Sequence, residues 1–154
     1  WKAREYGFHT SMIEASMMIN DRMPEYTVER AGKILNRYKK ALNGSKVLVL
    51  GAAYKQDIDD YRESPAVRVM AEFRKTGAEV DYYDPYVPKY RDGGVWYEGI
   101  PALTEDAVKY YDLVCIATAH TKVDYAMVTH CGVPVFDCKN VCKSLKDREN
   151  IEVL

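Results

Sequence analysis

Lys46-Val47-Leu48-Val49-Leu50-Gly51, then Ser64-Pro65-Ala66-Val67-Arg68-Val69-Met70-Ala71-Glu72-Phe73 and Gly77-Ala78-Glu79-Val80-Asp81-Tyr82-Tyr83, decide the fold class. The first run is short, apolar throughout and stopped by glycine, as suits a strand covered on both faces of a parallel sheet. Ser64 is an N-cap residue and Pro65 fits the first helical position, where its missing N–H costs nothing. Ala66, Val69, Met70 and Phe73 fall at i, i+3, i+4 and i+7 and form one helix face. Gly77 stops that helix, and 78–83 is the next strand, ended by Asp84-Pro85.

Outward from this unit the alternation continues. Residues 85–101 are loop-rich, with Gly93-Gly94 and a short strand at Val95-Trp96. Thr104 caps a helix over 105–110, 112–117 is a third strand, 124–130 a short helix and 133–136 a fourth strand. The expected fold class is α/β, a Rossmann-like parallel sheet with helices on both faces, preceded by two helices. Those two come from Phe8, Met12, Ala15 and Ile19, then from Val28, Ala31, Leu35, Tyr38 and Leu42, each set at helical spacing. Pro24 is expected to separate them, and Asn43-Gly44 to close the second, which spans about 24–42.

The chain has 154 residues, about one domain, and 47% of them are hydrophobic, enough for a core. Its 22 basic and 23 acidic residues nearly cancel, which leaves no electrostatic footprint for nucleic acid or an anionic membrane. No apolar run approaches a membrane span, and no segment reads as a signal peptide. Cys115, Cys131, Cys138 and Cys142 form no C-x-x-C, and His9, His120 and His130 are scattered, so no metal site is expected. Reduced thiols in a cytoplasmic protein are the default, with a disulfide among the last three cysteines left open. Trp1 in place of Met reads as an internal boundary, so the chain is expected to be a piece of a longer protein.

Ligands of open α/β sheets bind beyond the carboxyl ends of the strands. The first such end here is the loop Gly51-Ala52-Ala53-Tyr54-Lys55-Gln56-Asp57-Ile58-Asp59-Asp60-Tyr61-Arg62-Glu63-Ser64. It is too long for the tight turn of G-x-G-x-x-G and lacks that pattern. It combines an aromatic residue, a Lys and an Arg with three aspartates and leads into a helix N-terminus, a combination suited to phosphate oxygens. A solvated charged loop with local ion pairs fits the same residues, and the residues alone leave both readings open.

Several ordered motifs carry a resemblance. Val47-Leu48-Val49-Leu50-Gly51-Ala52-Ala53-Tyr54-Lys55 with Asp59-Asp60-Tyr61-Arg62-Glu63-Ser64-Pro65-Ala66 resembles the C-terminal domain of the UDP-glucose/GDP-mannose dehydrogenase family. Gly77-Ala78-Glu79-Val80-Asp81-Tyr82-Tyr83-Asp84-Pro85-Tyr86-Val87-Pro88 and Ala117-Thr118-Ala119-His120 fit it too. Trp1 to Thr10 is similar to the stretch after the family's catalytic cysteine, and Met23-Pro24-Glu25-Tyr26 to the helix break that follows. The details are most similar to the UDP-N-acetylhexosamine branch.

The resemblance implies an NAD-dependent UDP-sugar 6-dehydrogenase that oxidises the C6 hydroxyl to a carboxylate, homodimeric and serving polysaccharide synthesis. It implies that 1–43 is the helical tail of a central dimerisation domain and 44–154 a C-terminal UDP-sugar-binding domain. The NAD-binding domain and the catalytic cysteine would lie outside the chain, leaving it inactive alone and without a catalytic residue. Tyr54 and Lys55 correspond to residues at the substrate's nucleotide end, and Arg62 to an arginine that reaches the cofactor. Lys139 stands where many relatives have arginine, a change that keeps charge but loses the two-pronged geometry. Asp59 and Asp60 become structural, and His120 a loop or edge residue rather than a base. Two other readings remain: a stand-alone Rossmann-like nucleotide or coenzyme A binder, and an interaction domain that dimerises through its leading helices.

Overall fold

The computed structural model describes residues 10–154. Phe8, His9 and the motif beginning at Trp1 lie outside the described residues.

The sheet has five strands, all parallel: β1 (Lys46–Leu50), β2 (Glu79–Tyr83), and, after a hairpin of β3 (Lys89–Asp92) and β4 (Val95–Glu98), β5 (Leu113–Ile116), β6 (Val135–Asp137) and β7 (Ile151–Val153). Their order is β2-β1-β5-β6-β7. The chain moves to one side of β1 for β2 and to the other for β5, so the topological switch point lies between β1 and β5. Strand β1 shows why its sequence is apolar throughout. Val47 and Val49 pack into one core cluster, Leu48 and Leu50 into the other, and all four are fully buried.

The two clusters are roofed by different helices. On one face lie α1 (Ser11–Arg37), with Val28, Ala31, Ile34 and Leu35, and α2 (Pro65–Lys75), with Val69, Met70 and Phe73. On the other lie α3 (Glu105–Lys109) and α4 (Tyr125–His130), which contribute Val108 and Val128. Ser64 and Thr104 cap as the sequence anticipates, and Asp124 adds a third cap. Ser64 Oγ accepts from Ala66 N at 3.2 Å, Thr104 Oγ1 from Ala107 N at 3.2 Å and Asp124 Oδ1 from Met127 N at 3.0 Å.

Three expectations are corrected. The two leading helices are one helix of 27 residues with Pro24 inside it. Proline leaves carbonyls of the preceding turn without their usual donor. Here Arg68 reaches across from α2 and donates to Asp21 O (3.2 Å) and Asp21 Oδ1 (3.0 Å), while Thr27 Oγ1 donates to Met23 O (2.8 Å). The N–H that Pro24 lacks would have gone to Asn20 O, which is not the acceptor of either bond, so what carries the helix past the proline is its packing on α2. The same helix ends at Arg37, short of Leu42. Lys39 adopts the left-handed conformation (φ 60°), Lys40 N donates to Leu35 O (3.0 Å) and Lys39 N to Asn36 O (3.0 Å), which together make a Schellman stop. A lysine fills the position glycine usually takes, so composition gave no warning. Finally, the loop-rich stretch 85–101 contains a hairpin with Gly93-Gly94 as its two-residue turn, both at positive φ. Only its second strand was expected. The 3-10 turn Val141–Ser144 and β7 were not expected at all. β7 has three residues and is tied to α1 by Glu152, which accepts from Arg30 (2.6 Å) and pairs with Arg37.

Among the described residues no helix is long and apolar enough to cross a membrane. All four cysteines are free, so the disulfide left open among the last three does not form.

Candidate functional site: a cleft beyond the strand tips

Residues 51–64 leave β1 at the switch point, and their first three are fixed by a buried polar hub. Asp84, just past β2, is buried. Its Oδ2 accepts from Ala52 N (2.7 Å), Ala53 N (2.9 Å) and His120 Nε2 (2.9 Å). Its Oδ1 accepts from Tyr86 N (2.8 Å) and Val87 N (3.0 Å). Burial alone would push this carboxyl up. The His120 bond and the backbone N–H groups outweigh it and hold the carboxyl below its ordinary range. His120 uses its other nitrogen as an acceptor, since Asp57 N donates to Nδ1 at 3.0 Å. That pairing leaves Nε2 as the nitrogen that donates to Asp84.

Gly51 permits the hub. Its φ is +88°, and a Cβ there would lie 2.4 Å from Thr118 O. The tips of β1 and β5 therefore approach too closely for any side chain. Ala53 O then receives two hydroxyls, Thr118 Oγ1 at 2.7 Å and Ser64 Oγ at 3.2 Å, which joins β1, β5 and the start of α2.

Beyond these tips lies a cleft of about 460 Å³. Tyr54 follows β1, Ala117 follows β5, and Cys138 and Lys139 follow β6. Glu63 and, on α2, Pro65, Ala66, Arg68 and Val69 form one wall, and Asn20, Met23, Pro24 and Thr27 of α1 close the other. Asp137, fully buried, shapes the Lys139 turn: Oδ1 accepts from Lys139 N (3.0 Å) and Oδ2 from Cys142 N (2.8 Å).

The four candidate residues do not share one mouth. Tyr54 and Lys139 line this cleft. The Lys55 ammonium lies 5.6 Å from the centre of the Tyr54 ring, close to the cleft residue without being part of its lining. Arg62 faces a second depression of about 330 Å³, with Tyr61, Arg68 and Arg91. Asp60 holds it there with two bonds from Nε and Nη2, both 2.9 Å. The Arg62 bonds drop the Asp60 carboxyl to about 2. The loop closes at Tyr54 N, which donates to Asp60 O at 2.7 Å, and this separates the two cations. Of the loop's three aspartates, Asp60 holds Arg62, Asp57 accepts from Thr121 N (2.9 Å) and Thr121 Oγ1 (3.0 Å), and Asp59 is exposed. His120 is a loop residue as expected but not an edge one, because it is buried.

The α1 wall and the Asp84–His120 hub were missed at the sequence level. The signal for the hub was present in the motifs Asp84-Pro85 and Thr118-Ala119-His120, each at the end of an expected strand.

An open parallel sheet whose strand tips surround a cleft lined by aromatic, cationic and apolar side chains defines a Rossmann-like ligand-binding domain. The model of the UDP-glucose/GDP-mannose dehydrogenase family, UDP binding domain, matches residues 48–144, and the chain belongs to that family. It is similar to Protein CapL of Staphylococcus aureus, at 30% identity over 93% of this chain and 34% of CapL. It is also similar to the UDP-N-acetyl-D-mannosamine dehydrogenase of Methanocaldococcus jannaschii, at 30% identity over 96% of this chain and 30% of that protein. Among solved structures, the UDP-D-ManNAc dehydrogenase of Pyrococcus horikoshii superposes with a TM-score of 0.77 at 25% identity, covering 98% of this chain and 35% of that one. The chain thus spans about a third of the length of these relatives. Family membership disfavours the stand-alone module.

Proposed function

We propose that this chain is the nucleotide-sugar-holding part of an NAD-dependent UDP-sugar 6-dehydrogenase acting on a UDP-N-acetylhexosamine in the cytoplasm. One observation carries the reading. The cleft at the strand tips sets an aromatic ring, Tyr54, and an ammonium, Lys139, around a space of nucleotide size. A ring suits a base or ribose face, and an ammonium suits a diphosphate. Residues 1–43 belong to the central helical domain and 44–154 to the C-terminal domain, so the cleft falls between the two. The relatives' names supply the substrate class.

The full reaction takes the C6 hydroxyl to a carboxylate in two hydride transfers to NAD, with the cofactor domain and the nucleophilic cysteine contributed by the rest of the parent homodimer. What this chain offers the cofactor is Arg62. Its side chain is 81% exposed and already oriented by Asp60, as befits a group that meets a ligand held mainly elsewhere.

The test is calorimetric titration of the chain with UDP and UDP-N-acetylhexosamines. Binding is weak, because the other domains normally complete the cleft. Lys139→Ala lowers UDP affinity roughly tenfold, in line with loss of a charge-assisted contact, and Tyr54→Ala does so by a similar factor. Arg62→Ala leaves UDP binding unchanged, since that side chain faces the other depression. UDP affinity indifferent to both Lys139→Ala and Tyr54→Ala would remove the cleft from consideration.

A further inference from the structure

The cleft wall contains a feature with no part in nucleotide binding. Cys138 lines it beside Lys139, and behind Cys138, inside the core, Cys115 Sγ lies 3.9 Å from Cys138 Sγ. The two thiols differ in access. Cys115 is fully buried on β5, whereas Cys138 is partly exposed, one residue past the end of β6. They lie on the same face of the sheet, since both pack on the cluster roofed by α1 and α2.

We propose that Cys138 is a peroxide-sensitive modification site in the wall of the nucleotide cleft, with Cys115 as the thiol that resolves it. The oxidant is a hydroperoxide. The Cys138 thiolate attacks one peroxide oxygen, the O–O bond breaks, and the leaving oxygen departs as hydroxide, or as alkoxide from an alkyl peroxide, giving a sulfenic acid. The Cys115 sulfur then attacks the Cys138 sulfur, the S–O bond breaks, and water leaves with the Cys115 proton. The sum is two thiols and one hydrogen peroxide to one disulfide and two waters.

The division of roles follows from the surroundings. Hydrogen bonding to Cys138 and burial raise the Cys115 thiol well above its ordinary value, so it keeps its proton and reacts second. Closing 3.9 Å to a bond of about 2.05 Å requires one partner to move. Cys115 is fully buried in a central strand, and the Cys138 backbone is held by its N–H on Ile116 O (3.1 Å), so the partly exposed Cys138 side chain is what turns. Lys139 follows directly, its N–H on Asp137 Oδ1 at 3.0 Å. Oxidation therefore reshapes the cleft wall beside Lys139, one of its two cationic residues with Arg68. The effect on nucleotide rests on the function proposed above, but formation of the bond does not.

Hydrogen peroxide is added to the purified chain, remaining thiols are blocked with iodoacetamide, and peptides are mapped by mass spectrometry without reduction. The expected product is a Cys115–Cys138 cross-link, lighter by two hydrogens and reversed by dithiothreitol. Cys115→Ser should stop at a sulfenic acid on Cys138 that dimedone traps, and Cys138→Ser should give neither product. UDP affinity should fall roughly tenfold on oxidation and return on reduction. Oxidation mapping to Cys131 or Cys142 while Cys115 and Cys138 stay alkylatable overturns the assignment. A cross-link that leaves UDP affinity unchanged overturns its control of the cleft. If the reduced chain binds no UDP, the proposed nucleotide site fails instead, and the cross-link map still decides the thiol chemistry.

Discussion

Residues 51–53 and residues 55–62 belong to one loop, yet they are held by different physics. The inner part gives its N–H groups to a buried carboxylate and its Ala53 carbonyl to two hydroxyls, all between packed strand tips. The outer part carries the charges a reader of the sequence notices first, Lys55 and Arg62, and its principal bond, Asp60 to Arg62, faces water. In the buried part each hydrogen bond replaces water that cannot return, so losing one leaves an orphaned group. In the exposed part water and salt substitute for a lost partner. The conspicuous residues are therefore the ones free to meet a ligand, while the inconspicuous ones decide where the loop starts.

Replacing members of each part sharpens that contrast. Asp84→Asn should have the largest effect, because an amide turns a donor toward backbone N–H groups that need an acceptor. We expect a loss of about 3–5 kcal/mol in urea unfolding. A loss near zero would mean the hub is not what fixes the loop. Gly51→Ala comes next, at about 2–4 kcal/mol, from a positive φ and a Cβ only 2.4 Å from Thr118 O. Asp60→Asn, in the exposed part, should shift the unfolding midpoint too little to resolve from the parent.

Acid titration divides the two parts as well. The Asp84 carboxyl lies below its ordinary 3.8 in the folded protein. A depressed carboxylate contributes stability that is complete above the unfolded value and is lost as pH falls through the folded one. Unfolding scans below about pH 4 should therefore show a steep loss in the parent that is flatter in Asp84→Asn. Asp60 is also depressed, to about 2, but its exposure to solvent makes its share small. An equal flattening in Asp60→Asn would erase the distinction drawn between buried and exposed parts.

The α1 helix offers a smaller version of the same lesson. Its apolar spacing is helical on both sides of Pro24, and the proline suggests a break. The helix runs through because it packs on α2, whose Arg68 also donates to Asp21 in the turn before the proline. A local rule was overridden by a partner no local reading could locate. The Schellman stop at Lys39 is similar, since nothing in a lysine announces a left-handed residue.

Local chemistry wrote much of the protein directly. The four apolar residues of β1 after Lys46 could be stable only between two helical layers, and Ser64-Pro65 and Gly77 bounded α2 through backbone geometry that needs no distant partner. The order of motifs was enough to name the family. What packing alone decided is which side chains share a place: Tyr54 and Lys139 on one cleft, Arg62 on another depression, Asp84 bonded to His120, and Cys115 beside Cys138. These pairs are brought together by the crossover between strands, and their separations along the chain carry no trace of it. Hydrogen bonds and burial act through space, so residues that share a site can be strangers in sequence.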